Sequence, residues 1–115
     1  MEKVDFLPLG TIVSLKGSVK KSVIIARGLA TKLGEDTKYF DYGGVTYPEG
    51  LIGDSIQYFN VDSIDEVVFK GFSDADDVRM VKNINSWVEK SPFERGDLFE
   101  LNQMHAQKAA AERQE

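Results

Sequence analysis

The chain has 115 residues, of which 42% are hydrophobic and 29% are charged, and it carries a net charge of -5 with a pI near 4.9. This length, together with the proportion of hydrophobic to charged residues, predicts one globular domain with a single core and argues against disorder of the whole chain. An acidic surface repels phosphate backbones, which disfavours binding to nucleic acid and adsorption to anionic lipid. Because the chain has no cysteine, disulfides and thiolate metal sites are excluded.

The amino terminus, MEKVDFLPLG, lacks the long apolar core of a signal peptide. No segment approaches the ~18 apolar residues that a membrane span requires. We therefore expect a cytoplasmic protein that does not insert into a membrane. A secretion route that recognises a folded or helical signal would escape this test, so export of the protein stays open.

The first two thirds of the chain predict β-structure. GTIVSLKG alternates, with Val13 and Leu15 on one face of a strand, and SVIIARG is apolar on both faces, which predicts a central strand. Three further strands follow in KYFDYGGVTY, SIQYFN and VVFKGF, with a helical turn in VDSIDE before the last. The short connections imply a strongly coiled antiparallel sheet or an SH3-like open barrel of about five strands.

After the predicted strands, apolar residues recur at helical spacing. Ser73 is the expected N-cap and Asp76 completes a capping box, while Pro92 ends the helix. We therefore expect a single α+β domain over residues 6–90, with this one helix packed on the sheet. Residues 91–115 are expected to form a helical tail, whose few apolar anchors favour ordering on a partner.

Candidate catalytic and metal-binding groups are few. His105, the single histidine, has no neighbouring His or Cys to complete a metal site or a nucleophile pair. Asp41 with Glu49 or Asp54 offers a carboxylate pair for a small hydrolase, but a shallow barrel lacks walls that exclude water from a substrate. We therefore expect no enzymatic activity, no metal and no cofactor, and keep the carboxylate-dependent hydrolase as an alternative.

The stretch YFDYGGVTYPEGLIGDSIQYFN contains all four tyrosines of the chain. Successive strand residues face opposite sides, so that Tyr39 should point outward if Phe40 and Tyr42 point inward. At least half of the rings are expected in the core, and the rest under the C-terminal helix or against a partner. The predicted protein-binding residues are Tyr39, Tyr47 and Tyr58 in the sheet, and Phe93, Leu98, Leu101 and Met104 in the tail.

The segments FLPLGTIVSLKG, VIIARG, YFDYGGVTYPEGLIGD and YFNVDSIDEVVFKGF, with the acidic helix up to WVEK, resemble the small Firmicutes proteins catalogued as domain of unknown function number 4176. The resemblance runs from about Phe6 to Lys90. Members are typically encoded in type VII secretion neighbourhoods, beside LXG polymorphic toxins and small WXG-like helical proteins. The resemblance thus implies a non-enzymatic accessory role and brings no catalytic residues.

Three functions follow from these observations. The first is a chaperone or targeting adaptor that buries apolar surface on the long helical targeting domain of an LXG-type toxin, or on its small helical companion proteins. The second is an immunity protein that occludes the toxin's catalytic domain, since an acidic surface suits a basic nuclease. The third is the hydrolase, which should lose activity in Asp41→Asn while the fold stays intact.

Overall fold

A computed structural model describes residues 4–92 and 94–96 of the protein. The elements in chain order are β1 (Ile12–Leu15), β2 (Lys21–Leu33), β3 (Asp36–Tyr47), β4 (Gln57–Phe59), a 3₁₀ turn (Val61–Ser63), β5 (Ile64–Phe69), α1 (Ala75–Lys90) and β6 (Glu94–Arg95). The predicted α+β class is confirmed: five strands form an antiparallel open sheet, followed by one helix. Of the helical tail predicted over residues 91–115, residues 91, 92 and 94–96 are described, and Glu94–Arg95 form a short strand instead of a helix; the rest of the tail lies outside the described residues.

The strands lie in the order β4-β3-β2-β1-β5, and the short β6 pairs in parallel with the first half of β3. Consecutive strands β1 to β4 form a meander, because each connection is too short to cross the sheet. After the 3₁₀ turn predicted in VDSIDE, β5 returns to pair with β1. β6 thus adds two residues beyond Lys90 to the sheet.

One face of the sheet packs against α1 and contains the main core. We call this side the core face. Its buried residues are Phe6, Val13, Ile24, Tyr39, Tyr42, Phe59, Ile84 and Val88. Of these, Ile84 and Val88 are the buried residues of α1, whereas Val78, in the first turn of the same helix, is exposed.

β2 and β3 change their alternation midway along the hairpin. Arg27 pairs with Tyr42 and Leu29 pairs with Phe40, but Gly28, between Arg27 and Leu29, has a φ of 63°. A regular strand cannot include a left-handed residue, so the side chains before and after it shift by one position relative to the two faces.

This shift decides where the aromatic rings point. Tyr39 and Tyr42, three residues apart, both lie in the main core, whereas Phe40 is fully buried but outside that cluster. The expectation that Tyr39 points outward is therefore wrong. It assumed strict two-residue alternation, and the irregular backbone at mid-hairpin breaks that alternation.

Helix α1 begins one residue later than its sequence predicted. The N-cap is Asp74, whose Oδ1 accepts hydrogen bonds from the backbone N–H groups of Asp76 and Asp77 at 3.0 and 3.2 Å. A carboxylate at this position satisfies two unpaired amides and carries the charge that the helix dipole favours. The hydroxyl of Ser73, the expected cap, instead donates to Asp77 Oδ2 at 2.7 Å.

An enclosed ion pair joins α1 to β2. Arg27 Nη1 lies 2.6 Å from Asp77 Oδ1, and the two side chains are only 5% and 15% exposed. The same Arg27 nitrogen donates to the carbonyl of Leu7 at 3.3 Å, so the guanidinium also holds the N-terminal segment. Desolvation raises the pKa of Asp77, but the bonds from Ser73 and Arg27 outweigh it and hold that pKa below its ordinary value.

Gly28 is a position where we expect even one methyl group to be disruptive. A Cβ there would lie 2.5 Å from Ile84 Cγ2, and the new alanine would have to adopt a left-handed backbone conformation. Gly28→Ala should combine the backbone cost of about 1–2 kcal/mol with an overpacking cost of about 1–3 kcal/mol, measured by urea unfolding. Gly34→Ala is the matched control, because Gly34 also has a positive φ but open space around it. Equal losses in both variants would show that α1 does not press on β2 at this point.

Asp77→Asn should lower the free energy of unfolding at neutral pH by roughly 1–3 kcal/mol, because it leaves the Arg27 guanidinium without its charged partner. The pKa of Asp77 is lowered in the folded state from an ordinary 3.8. The carboxylate therefore stabilises the fold above that pH, and its contribution disappears as the pH falls through the lowered value.

The difference between wild type and Asp77→Asn should accordingly be largest near pH 7 and shrink in acid, as measured by urea unfolding across pH. Asp76→Asn is the control, because the Asp76–Arg79 pair is exposed and exposed pairs contribute little. A difference that stays constant down to the acid limit would contradict the role given to the Asp77 charge.

Candidate protein-binding surface

A second apolar surface covers the side of the sheet away from α1. In the register, Val45 is opposite Val23, Val23 is opposite Ile12, and Ile12 is opposite Phe69. Residues directly opposite on neighbouring strands share a face, so these four side chains form one row across β3, β2, β1 and β5. Exposure rises along this row from 7% at Val45 to 60% at Phe69.

The same face continues along β3 towards Phe40. A Cβ built on Gly43 would meet Leu29, Ile56 and Ala26 at 2.7, 3.2 and 3.4 Å, whereas one on Gly44 would meet Phe59 of the core. Phe40 pairs with Leu29 and its ring lies 5.7 Å from that of Tyr58. We call this side the outer face; it comprises Ile12, Val23, Ala26, Leu29, Phe40, Val45, Ile56, Tyr58 and Phe69.

Two further exposed apolar side chains lie near the β5 end of the sheet. The N–H of Gly71 donates to Thr11 Oγ1 at 3.0 Å, which holds the chain after β5 against the start of β1. Phe72, the next residue, is 81% exposed, and Leu9 is also exposed. Large apolar side chains that cluster in water mark surfaces that bind other molecules.

β5 is an edge strand, since among the described residues it pairs with β1 alone. Its register with β1 shifts at two places, and Asp65 and Glu66 are exposed within it. Bulges and charges on an edge strand disfavour the addition of another strand. A partner at this end of the sheet would therefore be held by the apolar side chains of the outer face rather than by the backbone of β5.

Two of the three sheet tyrosines predicted to bind a partner lie at the surface. Tyr47 is exposed at the end of β3, with Lys21 Nζ 6.0 Å from its ring centre. Tyr58 is half-buried on the outer face. Their contact with a partner stays a prediction.

Tyr39 does not lie at the surface. It is buried, with its ring 5.9 Å from that of Trp87. Burial first, and the charge of Asp41 second, raise the pKa of Tyr39 well above its ordinary value. A partner on the surface cannot contact this ring. The four predicted tail residues, Phe93, Leu98, Leu101 and Met104, lie outside the described residues.

The sequence alone did not predict that Ile12, Val23 and Phe69 form part of one apolar surface. The signal was present, because SVIIARG and VVFKGF are apolar at consecutive positions, and such runs indicate strands with two apolar faces. What the sequence lacked was the register that aligns these residues across four strands.

Asp41 is a buried structural carboxylate. Its Oδ2 accepts the backbone N–H of Val61 at 2.8 Å and pairs with the guanidinium of Arg95. Its own N–H donates to Asn60 Oδ1 at 3.0 Å, and Asn60 Nδ2 donates to the carbonyl of Gly96 at 2.9 Å. Asp41 thereby joins β3 to the 3₁₀ turn and to β6.

The carboxylate pair considered for a hydrolase is not assembled as an open site. Asp41 is fully buried, whereas Glu49 and Asp54 are exposed on the turn after β3. Glu49 forms an ion pair with Lys20 at 3.1 Å. Within the described part of the chain, no three His, Asp or Glu residues cluster closely enough to hold a metal ion.

If Asp41 serves the fold, Asp41→Asn should lower the free energy of unfolding by roughly 2 kcal/mol, because charged hydrogen bonds to Val61 and Arg95 are lost. Asp54→Asn is the control, since that side chain is exposed in a turn. Urea unfolding of both variants measures the effect. If the Asp41→Asn protein is as stable as wild type, the result would favour the hydrolase hypothesis, in which the Asp41 carboxylate takes part in catalysis.

The family model described as Domain of unknown function (DUF4176) matches residues 6–80, which is more than half of the chain and includes all five strands of the antiparallel sheet. No curated protein and no solved structure matches the chain. In the described part, no helix combines the length and apolar character needed to cross a membrane. From the match to its family model, this chain belongs to the DUF4176 family.

Proposed function

We propose that this protein is a non-enzymatic accessory protein of a type VII secretion pathway, which binds an LXG-type toxin in the cytoplasm as a chaperone or targeting adaptor. The secretion setting is what the resemblance to the family implies. The observation that supports a binding role is the outer face, an apolar surface on the side of the sheet that α1 does not cover.

The energetics of this surface favour binding at the β5 end. Phe69 and Phe72 are the two most exposed aromatic side chains described. Burying a phenylalanine side chain contributes about 1.5–3 kcal/mol. Two such rings therefore contribute about 3–6 kcal/mol, which offsets only the lower part of an association cost of about 4–15 kcal/mol, so a stable complex also requires contact along the rest of the outer face.

The shape of the surface suits a helix. Neighbouring strands are about 4.8 Å apart, so the row from Val45 to Phe69 spans about 14 Å across four strands. At a rise of 1.5 Å per residue, the apolar stripe of about nine helical residues can lie along such a row. The long helical targeting domain of an LXG-type toxin has the form that this surface would accommodate.

The surface charge bears on the second candidate function. The chain carries a net charge of -5, and Asp65 and Glu66 lie on β5, the strand that ends at Phe69. A basic nuclease domain would be attracted to this end of the protein, which is the situation expected of an immunity protein. The two functions differ in which half of the toxin is bound.

Phe69→Asp combined with Phe72→Asp should weaken binding of the toxin's N-terminal targeting half by roughly a hundredfold, because two buried rings are replaced by charges. Copurification after coexpression, followed by titration calorimetry, measures the loss. Val19→Asp is the control, because Val19 is an apolar residue of the β1–β2 connection that is even more exposed than Phe69 and Phe72.

Retained binding in the double variant would remove the outer face from the interface. Deleting halves of the toxin separates the two functions: an adaptor requires the N-terminal targeting half, and an immunity protein requires the C-terminal catalytic domain. A complex that forms with the catalytic domain alone would overturn the adaptor proposal.

A further inference from the structure

The short strand β6 is bound at the edge of β3. Glu94 lies opposite Lys38 and Arg95 lies opposite Tyr39, in parallel pairing, and the N–H of Gly96 donates to the carbonyl of Tyr39 at 2.6 Å. An isolated pair of strands is at best marginally stable in water, and β6 contributes only two residues to the sheet. Contacts beyond the backbone ladder must therefore hold β6 in place.

The first such contact is an ion pair with a buried carboxylate. The guanidinium of Arg95 pairs with Oδ2 of Asp41. The Asp41 side chain is fully buried, whereas the Arg95 side chain is 38% exposed. The carboxylate thus belongs to the interior, and the arginine reaches it from the surface. Because a buried carboxylate without a cation is costly, this position selects for a positively charged partner.

The second contact requires a glycine directly after the arginine. A Cβ added at Gly96 would overlap atoms of the Phe40 ring. That ring is fully buried and lies 5.7 Å from the ring of Tyr58, so it has little room to move aside. The carbonyl of Gly96 accepts a hydrogen bond from Asn60 Nδ2 at 2.9 Å, which fixes the glycine backbone against the ring.

Together these contacts recognise arginine followed by glycine in an extended chain. Asp41 binds the guanidinium, the Phe40 ring excludes a side chain at the next position, and Asn60 and the Tyr39 carbonyl bind the backbone there. These four residues lie within the range 6–80 of the family match, whereas β6 lies after it. The site is therefore built by the family domain, and its occupant comes from the segment that follows.

β6 is suited to open locally. A terminal strand with few backbone hydrogen bonds and a partly exposed arginine belongs to the least stable part of a fold. When β6 opens, the Asp41 carboxylate loses its ion-pair partner, and the edge of β3 beside it loses its neighbouring strand. Such an edge can accept an extended peptide by strand addition, with pockets that select its side chains.

We propose that this edge of β3 is a binding site for an extended segment of another protein in which arginine is followed by glycine, and that β6 is its internal occupant. The incoming segment places its guanidinium on Asp41 and its glycine on the Phe40 ring. Because β6 is tethered, it competes at a high effective concentration. A free segment therefore binds once β6 has been displaced.

Gly96→Ala opens the site without changing any residue that forms it, because the added Cβ would overlap the Phe40 ring. The probe is a capped peptide, Ala-Glu-Arg-Gly-Ala, added to the full chain. Heteronuclear NMR follows the backbone amide of Val61, which donates to Asp41, and the side-chain amide of Asn60. We expect the Gly96→Ala protein to bind this peptide at least about tenfold more tightly than wild type does.

The matched control is a peptide in which alanine replaces the glycine, because it has the same charge but would overlap the Phe40 ring. Binding at least about tenfold weaker than that of the arginine-glycine peptide supports the proposal. Equal binding of the two peptides would overturn it, since an acidic protein attracts any cationic peptide. The absence of shifts at Val61 and Asn60 with either peptide would also overturn it.

Arg95→Ala provides a second opened protein if Gly96→Ala does not fold, because it removes the guanidinium and adds no atom against Phe40. Hydrogen exchange of the Gly96 amide measures the opening, and we expect faster exchange than in wild type together with the same preference between the peptides. Unchanged protection of this amide would show that Arg95 does not hold β6 and would contradict the proposal. No toxin is present in these experiments, so their failure leaves the proposed adaptor function standing, and failure of copurification leaves this site standing.

Discussion

Gly28 adopts a left-handed backbone in the middle of β2, opposite the part of β3 that carries Asp41. Two consequences follow from this local geometry. The missing side chain lets Ile84 of α1 approach the sheet closely, and the interrupted alternation places Tyr39 in the core while Phe40 lies on the other side. The position of the helix and the division of the rings between two faces both depend on this point of the hairpin.

The two faces that result are stabilised differently. The core face is closed by α1, and the Arg27–Asp77 ion pair anchors the first turn of that helix to β2. The outer face is apolar across four strands, yet α1 lies on the opposite side. Among the described elements α1 is the one helix, and because it packs on the core face, no described helix covers the outer face.

The range of the family match ends before the described part of the chain does. It covers residues 6–80, a range that contains the complete row from Val45 to Phe69, while β6 and the residues after it lie beyond. The apolar surface is therefore part of the family domain, whereas β6, which Asp41, Asn60 and Arg95 attach to the sheet, lies outside the matched range.

The sequence by itself determined the five antiparallel strands and the helix that follows them, but not the order of the strands or the parallel strand β6. Apolar periods of two and of 3.6 residues are local properties, and short connections leave consecutive strands little choice but to pair. Only the tertiary structure decided which rings are buried and what Asp41 does. The face of Tyr39 depends on a backbone irregularity that the pattern of side chains does not encode, and the partner of Asp41 is 54 residues away in the chain. The outer face was likewise undetermined, because a row across four strands exists only once their register is set by long-range pairing.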